Sequence, residues 1–219
     1  MNVTQDQVEA GQAVYGKGLL AVYDLGVLGF SNQFVWKCPS RRMLALYNQH
    51  VSANHLDVGV GTGYFLDHCR FPSETPRLAL LDLNPNCLDA TSRRVARYKP
   101  EVYRANVLEP IEDNIPRFES VGMNYLLHCL PGTIRSKAVV FKHLKALLTP
   151  RGILFGSTLL MGGVERNWLA RRLMARYNAY RVFTNTHDDL EGLRWALSQH
   201  LSDISVEVVG CAALFSGRV

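Results

Sequence analysis

The sequence predicts an α/β fold in which helices cover both faces of a doubly wound, mainly parallel sheet. From residue 55 onward, apolar strand-like runs alternate with helix-like segments, as they do in parallel sheets. The run Asp57-Val58-Gly59-Val60-Gly61-Thr62-Gly63 follows the first of these strands. Near the end, two strand-like runs at 204–209 and 212–216 are joined only by Gly210-Cys211. Strands joined so tightly must be antiparallel neighbours, so the parallel sheet should end in an antiparallel hairpin.

The remaining elements follow in chain order. Residues 1–50 are rich in aromatics at helical spacing and predict a helical N-terminal cap. The parallel strands are expected at 56–58, 77–83, 102–105, 120–127 and 152–158, with helices at 40–49, 64–70, 86–98 and 134–148. Residues 164–200 interrupt the alternation and predict a helical insertion of two helices. We therefore expect one domain over residues 1–219, with this cap and this insertion.

Composition and charge narrow the class of protein. The chain is 47% hydrophobic and 20% charged, which is typical of a soluble globular protein. Its 5 cysteines are scattered without a Cys-x-x-Cys pair, which favours reduced thiols and a cytoplasmic location. The first residues do not resemble a signal peptide, and no apolar run is long enough for a membrane span, so we expect no membrane partner. The net charge of +5 is mild, and its densest part, Arg166 to Arg176, is interpreted as a solvated helix face.

The glycine-rich run predicts a nucleotide-type pocket at the edge of the sheet. Glycines at alternate positions let the backbone turn sharply from a strand into a helix while passing close to a ligand. A dinucleotide fingerprint, Gly-x-Gly-x-x-Gly, would need glycine where Tyr64 stands. A P-loop would need a following Gly-Lys-Ser/Thr, which is absent from the sequence. The spacing therefore argues against both of these nucleotide sites.

The run Asp57 to Gly63 resembles the first motif of the class I S-adenosylmethionine-dependent methyltransferases, an acid followed by Gly-x-Gly-x-Gly. Four further segments resemble the family in the same order along the chain. They are Asp82 at the end of the second strand, Asn106-Val107-Leu108, Tyr125 to Pro131, and the turn Leu147 to Gly152 before the fifth strand. The terminal hairpin resembles the last two strands of that family. The resemblance covers about residues 50–160 and the final twenty, and it implies a Rossmann-like fold with S-adenosylmethionine as cofactor.

The resemblance also implies which residues contact the cofactor. Asp57 would bind the methionine ammonium or brace the glycine loop, and Asp82 would accept hydrogen bonds from the ribose hydroxyls. The family often has Asp at the position of Asn106, where the adenine amine is bound, and an amide oxygen can still accept there. The full predicted set is Asp57, Gly59, Gly61, Gly63, Asp82, Leu83, Asn106 and Val107.

Catalytic and substrate-binding candidates come from outside these motifs. His128 follows the fourth strand and could accept a proton from the substrate, although a packing role beneath the cofactor is the alternative. Tyr15, Tyr23 and Trp36 could line a substrate pocket, or could form the core of the cap. The segment His187-Asp188-Asp189 is interpreted as a solvated loop, and we expect no metal site.

The sequence thus predicts methyl transfer from S-adenosylmethionine to a small-molecule acceptor held between the cofactor edge, the N-terminal helices and residues 164–200. In-line displacement of the sulfonium needs a nucleophile held in near-attack geometry. Two alternatives stay open: a cofactor-binding protein of the same fold that transfers no methyl group, and an RNA methyltransferase using the arginines of 166–176. We favour a small molecule over nucleic acid, because no additional RNA-binding module is evident in the sequence.

Overall fold

The computed structural model describes residues 24–111 and 114–219. Within these residues the strands form a single sheet in the order β3-β2-β1-β4-β5-β7-β6. The strands are β1 Asn54–Val58, β2 Arg77–Asp82, β3 Glu101–Arg104, β4 Phe118–Asn124, β5 Leu148–Leu159, β6 Ser202–Val209 and β7 Ala212–Arg218. β1 to β5 pair in parallel, whereas β7 lies antiparallel to both β5 and β6. The predicted α/β sheet with a closing hairpin is confirmed.

The helices lie between these strands at their expected places, and a π-helix, Asp24–Val35, precedes them. They are α1 Ser40–His50, α2 Tyr64–His68, α3 Pro85–Arg94, α4 Ala138–Ala146, α5 Trp168–Ala179 and α6 Leu190–Ser198. α3 shows how the sequence fixes a helix start: the side chain of Asn84 accepts a hydrogen bond from the Asn86 N–H, and Pro85 takes the first helical position. Asn167 and Asp189 cap α5 and α6 in the same way.

Apolar side chains cover both faces of the sheet. On one face, Phe141 of α4 and Leu193 of α6 belong to a buried cluster with residues of β1, β4 and β5. On the other face, α1, α2 and α3 contribute Tyr47, Leu66 and Leu88 to a second cluster. β1 and β2 are buried along nearly their whole length, as strands covered on both faces must be.

The strand order reverses between β1 and β4. From β1 the chain builds outward through β2 and β3, and it then returns to place β4 on the opposite side of β1. In doubly wound sheets the connections leave opposite faces at such a point, and a crevice opens beyond the carboxyl ends of the strands. The glycine-rich run begins at the end of β1 and therefore lies at this crevice. Among the described residues, no helix combines the length and apolar character that a membrane span requires.

Candidate active site

A cavity lies at the carboxyl ends of β1, β2 and β4, where the strand order reverses. Its lining joins three kinds of residue: the glycine loop 59–63, two buried or partly buried acids, and apolar side chains. All eight residues that the sequence predicts for the cofactor line this cavity. They are Asp57, Gly59, Gly61, Gly63, Asp82, Leu83, Asn106 and Val107.

The three glycines of the loop all have left-handed backbone angles, with φ of +70° at Gly59, +54° at Gly61 and +73° at Gly63. A Cβ atom on Gly59 would lie 2.9 Å from Leu126 Cδ1, and one on Gly63 would lie 2.8 Å from Thr91 Cγ2. A Cβ atom on Gly61 would meet nothing within 4 Å. Gly59 and Gly63 therefore let the loop pack closely, whereas Gly61 borders open space in the cavity.

Asp57 is the penultimate residue of β1, and its side chain is almost entirely buried. The hydroxyl of Tyr47, on α1, donates a hydrogen bond to Asp57 Oδ1 at 2.5 Å. Burial and then the nearby Asp57 carboxylate raise the pKa of Tyr47 well above its usual 10, so the tyrosine keeps its proton and remains a donor. Both side chains line the cavity, and their hydrogen bond fixes the orientation of the Asp57 carboxylate.

Asp82 joins the end of β2 to the glycine loop through backbone hydrogen bonds. Its Oδ1 accepts from the Asn84 N–H at 2.8 Å, and the N–H groups of Val60, Gly61 and Leu83 also stabilise its charge. Burial outweighs these donors and raises the pKa of Asp82 to about 6. The carboxylate is ionised at neutral pH and close to its titration range.

Asn106 follows β3 and lines the cavity beside Val107. Its Oδ1 accepts from the Leu108 N–H at 3.1 Å, and its Nδ2 donates to Glu109 Oε1 at 2.9 Å. The side-chain amide thus already holds its own turn together. An amide oxygen has a second lone pair, so a ligand amine could still be bound there.

An apolar wall, consisting of Leu28, Tyr125, Leu126, Cys129, Leu130 and Pro131, forms the remaining side of the cavity. Tyr125 follows β4 directly with φ of +55°, an uncommon conformation for a non-glycine residue. The sequence resemblance indicated this segment without assigning contacts to it, and it gave no indication of Leu28 or Tyr47. Those two residues reach the cavity from helices that precede β1, and no local motif marks them.

Similarity to known proteins agrees with this arrangement. Residues 56–154 match a family model described as a methyltransferase domain. The chain is 39% identical to demethylluteothin O-methyltransferase of Streptomyces thioluteus over 98% of this chain and 93% of that protein. It is 36% identical to the physcion biosynthesis cluster O-methyltransferase of Aspergillus chevalieri, over 94% of each protein.

The chain belongs to the class I S-adenosylmethionine-dependent methyltransferases. The fold agrees with that of the N-methyltransferase NodS from Bradyrhizobium japonicum, solved in complex with S-adenosylhomocysteine. That structure aligns with a TM-score of 0.60 at 15% identity, over 91% of this chain and 95% of the other. At such low identity the likeness is one of fold alone.

Residues 164–200 of this methyltransferase support the apolar wall from behind. None of these described residues lines the cavity, although the sequence analysis placed the acceptor against them. Thr184 donates its N–H to the His128 carbonyl at 2.8 Å, and Lys137 Nζ donates to Asp188 Oδ2 at 2.6 Å. Lys137 and Asp188 are fully buried, so Asp188 does not belong to a solvated loop as the sequence suggested.

His128 packs in the interior of the methyltransferase and is not among the residues that line the cavity, which favours the alternative packing role over the catalytic one. The short 3₁₀ turn Leu127–Cys129 turns its side chain inward, where it is 3% exposed and its ring centroid lies 4.5 Å from that of Phe183. Its Nδ1 accepts from the Leu159 N–H at 3.3 Å. Burial, followed by the charge of Lys137, lowers its pKa from 6.5 to about 3. The geometry supports a neutral structural histidine, and the catalytic role stays a prediction.

Of the three substrate-binding candidates, the structure describes one. Trp36 is 2% exposed, packs in a cluster with Met174 and Phe183, and is not among the residues that line the cavity. The insertion covers its ring, so Trp36 is a core residue. Tyr15 and Tyr23 lie outside the described residues.

Proposed function

We propose that the cavity binds S-adenosylmethionine and that the enzyme transfers the methyl group to an oxygen of a small molecule. The observation that carries this proposal is the adjacency, in one cavity, of the open space at Gly61, the carboxylates of Asp57 and Asp82, and the apolar wall. Names of the relatives with 36% and 39% identity support oxygen as the methyl acceptor, since both are O-methyltransferases.

The residues that line the cavity differ in the part of the cofactor or acceptor that each would bind. The Asp57 carboxylate, held by Tyr47, would bind the ammonium of the cofactor, and Asp82 would accept hydrogen bonds from its ribose hydroxyls. Asn106 and Val107 would border the adenine. The bound sulfonium supplies an electrophilic methyl group. We place the acceptor against Tyr125, Cys129 and Leu130, where apolar side chains exclude water and hold the nucleophile for in-line attack.

Isothermal titration calorimetry with S-adenosylmethionine and S-adenosylhomocysteine tests the first step. We expect saturable binding of both ligands by the folded wild-type protein at micromolar to submillimolar concentrations. Absence of binding at millimolar ligand would contradict the proposal. Formation of S-adenosylhomocysteine in the presence of candidate hydroxylated acceptors, with product masses 14 Da above each acceptor, then tests the transfer itself.

The domain organisation and location of the enzyme are also proposals. We propose one domain comprising residues 1–219, in which the insertion 164–200 acts as a brace, and a cytoplasmic location. The fully buried Lys137–Asp188 pair supports the first, because it ties the insertion to the body of the fold. All 5 cysteines are free thiols, which supports the second. Limited proteolysis that released 164–200 as a separately folding piece would contradict the single domain.

A further inference from the structure

A chain of mostly buried polar groups links Ser52, Ser120 and His55 to Asp57. The N–H of Ser52 donates to Ser120 Oγ at 3.0 Å, and Ser120 Oγ lies 2.8 Å from His55 Nδ1. On the other side of the ring, His55 Nε2 lies 3.6 Å from Asp57 Oδ1. His55 and Ser120 are fully buried, and Asp57 is 4% exposed. A histidine on a buried strand is costly to bury, so its place requires a reason.

The packing around His55 fixes the plane of its ring. Phe155 stacks on it with centroids 5.8 Å apart, and Phe71 meets it edge-on at 6.1 Å. Gly122, on the neighbouring strand, leaves the required space. A Cβ atom there would lie 2.9 Å from Asp57 Oδ1 and 3.1 Å from His55 Cε1. The absence of a side chain at this position allows the imidazole and the carboxylate to approach each other.

The donors and acceptors leave one nitrogen facing the acid. Ser120 Oγ accepts the Ser52 N–H and also lies 2.8 Å from Ser52 Oγ, where either hydroxyl can be the donor. When Ser52 donates, the hydrogen of Ser120 is left for His55 Nδ1, and the Asp57 carboxylate favours this arrangement because an N–H at His55 Nε2 then faces its negative charge. In this arrangement the N–H of the ring is at Nε2, which makes no hydrogen bond within the part of the chain that the structure describes. At 3.6 Å its contact with Asp57 is longer than a hydrogen bond, so the N–H group acts on the carboxylate as a dipole.

We infer that His55 is a positioning residue for cofactor binding, which rests on the proposed function. Tyr47 and His55 both act on Oδ1 of Asp57, so the other carboxylate oxygen is the one presented to the ammonium of the ligand. His55 itself does not line the cavity. Its contribution should therefore concern the amino-acid part of the ligand and leave the adenosine part unaffected.

Two ligands that differ only in the amino-acid part test this inference. S-adenosylhomocysteine carries the ammonium, whereas 5′-methylthioadenosine has the same adenosine and sulfur without it. We expect His55→Leu to weaken S-adenosylhomocysteine binding about fivefold, less than the loss of a full hydrogen bond to a charged group would cause, because the contact with Asp57 is longer than a hydrogen bond. Binding of 5′-methylthioadenosine should stay within about twofold of wild type. His55→Gln, which keeps an N–H donor, should restore most of the difference.

Ser120→Ala provides a second, milder variant in case His55→Leu does not fold. It removes the partner of Nδ1 and should cause a smaller loss with the same ligand selectivity. His187→Leu, which replaces an exposed histidine that does not line the cavity, is the matched control and should bind both ligands as wild type does.

Two results would overturn this inference and leave the proposed function standing. One is equal loss of both ligands, which would mean that His55 only stabilises the fold. The other is unchanged binding of both ligands by a folded His55→Leu. If the wild-type protein binds neither ligand, the proposed function fails and the inference fails with it.

Discussion

The glycine-loop side and the apolar wall of the cavity are built on different principles. On the glycine-loop side, short-range features of the sequence form the surface: left-handed glycines, and acids at the ends of β1 and β2. The apolar wall depends on long-range contacts. Leu28 comes from the π-helix, the insertion packs against Cys129, and the Thr184 hydroxyl donates to the Leu130 carbonyl. The first side is therefore evident from a motif, whereas the second also needs residues that folding brings in from other parts of the chain.

The sharpest test of this contrast removes the support behind the wall. Lys137→Met breaks the buried pair with Asp188 and leaves an uncompensated buried carboxylate, so we expect a loss of about 3–5 kcal/mol in the free energy of unfolding. Denaturant unfolding measures it, and Lys142→Met, at an exposed position on α4, is the control. Any Lys137→Met protein that stays folded should keep its affinity for S-adenosylhomocysteine. Combining it with Asp188→Leu should recover much of the stability, and a failure to do so would argue against the ion-pair account.

On the other side of the cavity, Asp82→Asn should weaken S-adenosylmethionine binding at pH 8 by tenfold or more, because a charged acceptor becomes a neutral one. The pH dependence of cofactor affinity that Asp82 causes has a definite sign. Since the pKa of Asp82 is raised to about 6, wild-type affinity should be constant above pH 7 and fall as the pH drops through 6, where the carboxylate gains its proton. Titration calorimetry from pH 5 to 8 measures this. A slope of equal size in Asp82→Asn would assign the titration to another group.

Substitutions at two glycines of the loop distinguish a residue that borders the ligand space from one that packs against the fold. Gly61→Ala places a methyl group in the open cavity and should reduce cofactor affinity, with only about 1 kcal/mol of backbone strain. Gly63→Ala adds the same kind of strain plus a clash with Thr91, so its larger loss should be in stability. Thermal unfolding and calorimetry on the two variants give the comparison. The reverse ranking of the two losses would contradict the assignment of the open space to a ligand.

The smallest expected effect on turnover is at His128. If it acted as a general base, His128→Asn would lower kcat by about 10² or more. We expect kcat near the wild-type value at pH 8 and a stability loss of about 1 kcal/mol from the weakened contact with Leu159.

The stability of the wild type should also depend on pH through His128. Its folded pKa of about 3 lies below the usual 6.5, so protonation favours the unfolded state and stability should decline as pH falls from about 6.5 toward 3. The decline should be shallower in His128→Asn. A large loss of kcat with unchanged stability would restore the catalytic interpretation.

The sequence was sufficient for the sheet and for the residues that border the glycine loop. Strand positions could be predicted within a few residues because each strand is an apolar run bounded by polar turns, and the hairpin at Gly210 fixed the antiparallel end. Side-chain orientation after β4 could not be predicted, because the turn at Leu127–Cys129 decides whether His128 faces the cavity or the core. The burial of Asp188 depends on Lys137, 51 positions earlier, and no local pattern reveals such a pairing.

The separation between the apolar wall and its brace has a consequence for redesign of the enzyme. Side chains at Leu28, Cys129 and Leu130 face the cavity, while the Lys137–Asp188 bond that anchors the insertion is hidden behind them. A library that varies only the facing positions would therefore sample new acceptor shapes on a scaffold whose anchoring bond is left intact. Laboratory evolution toward other acceptors should proceed fastest there, with few variants lost to misfolding.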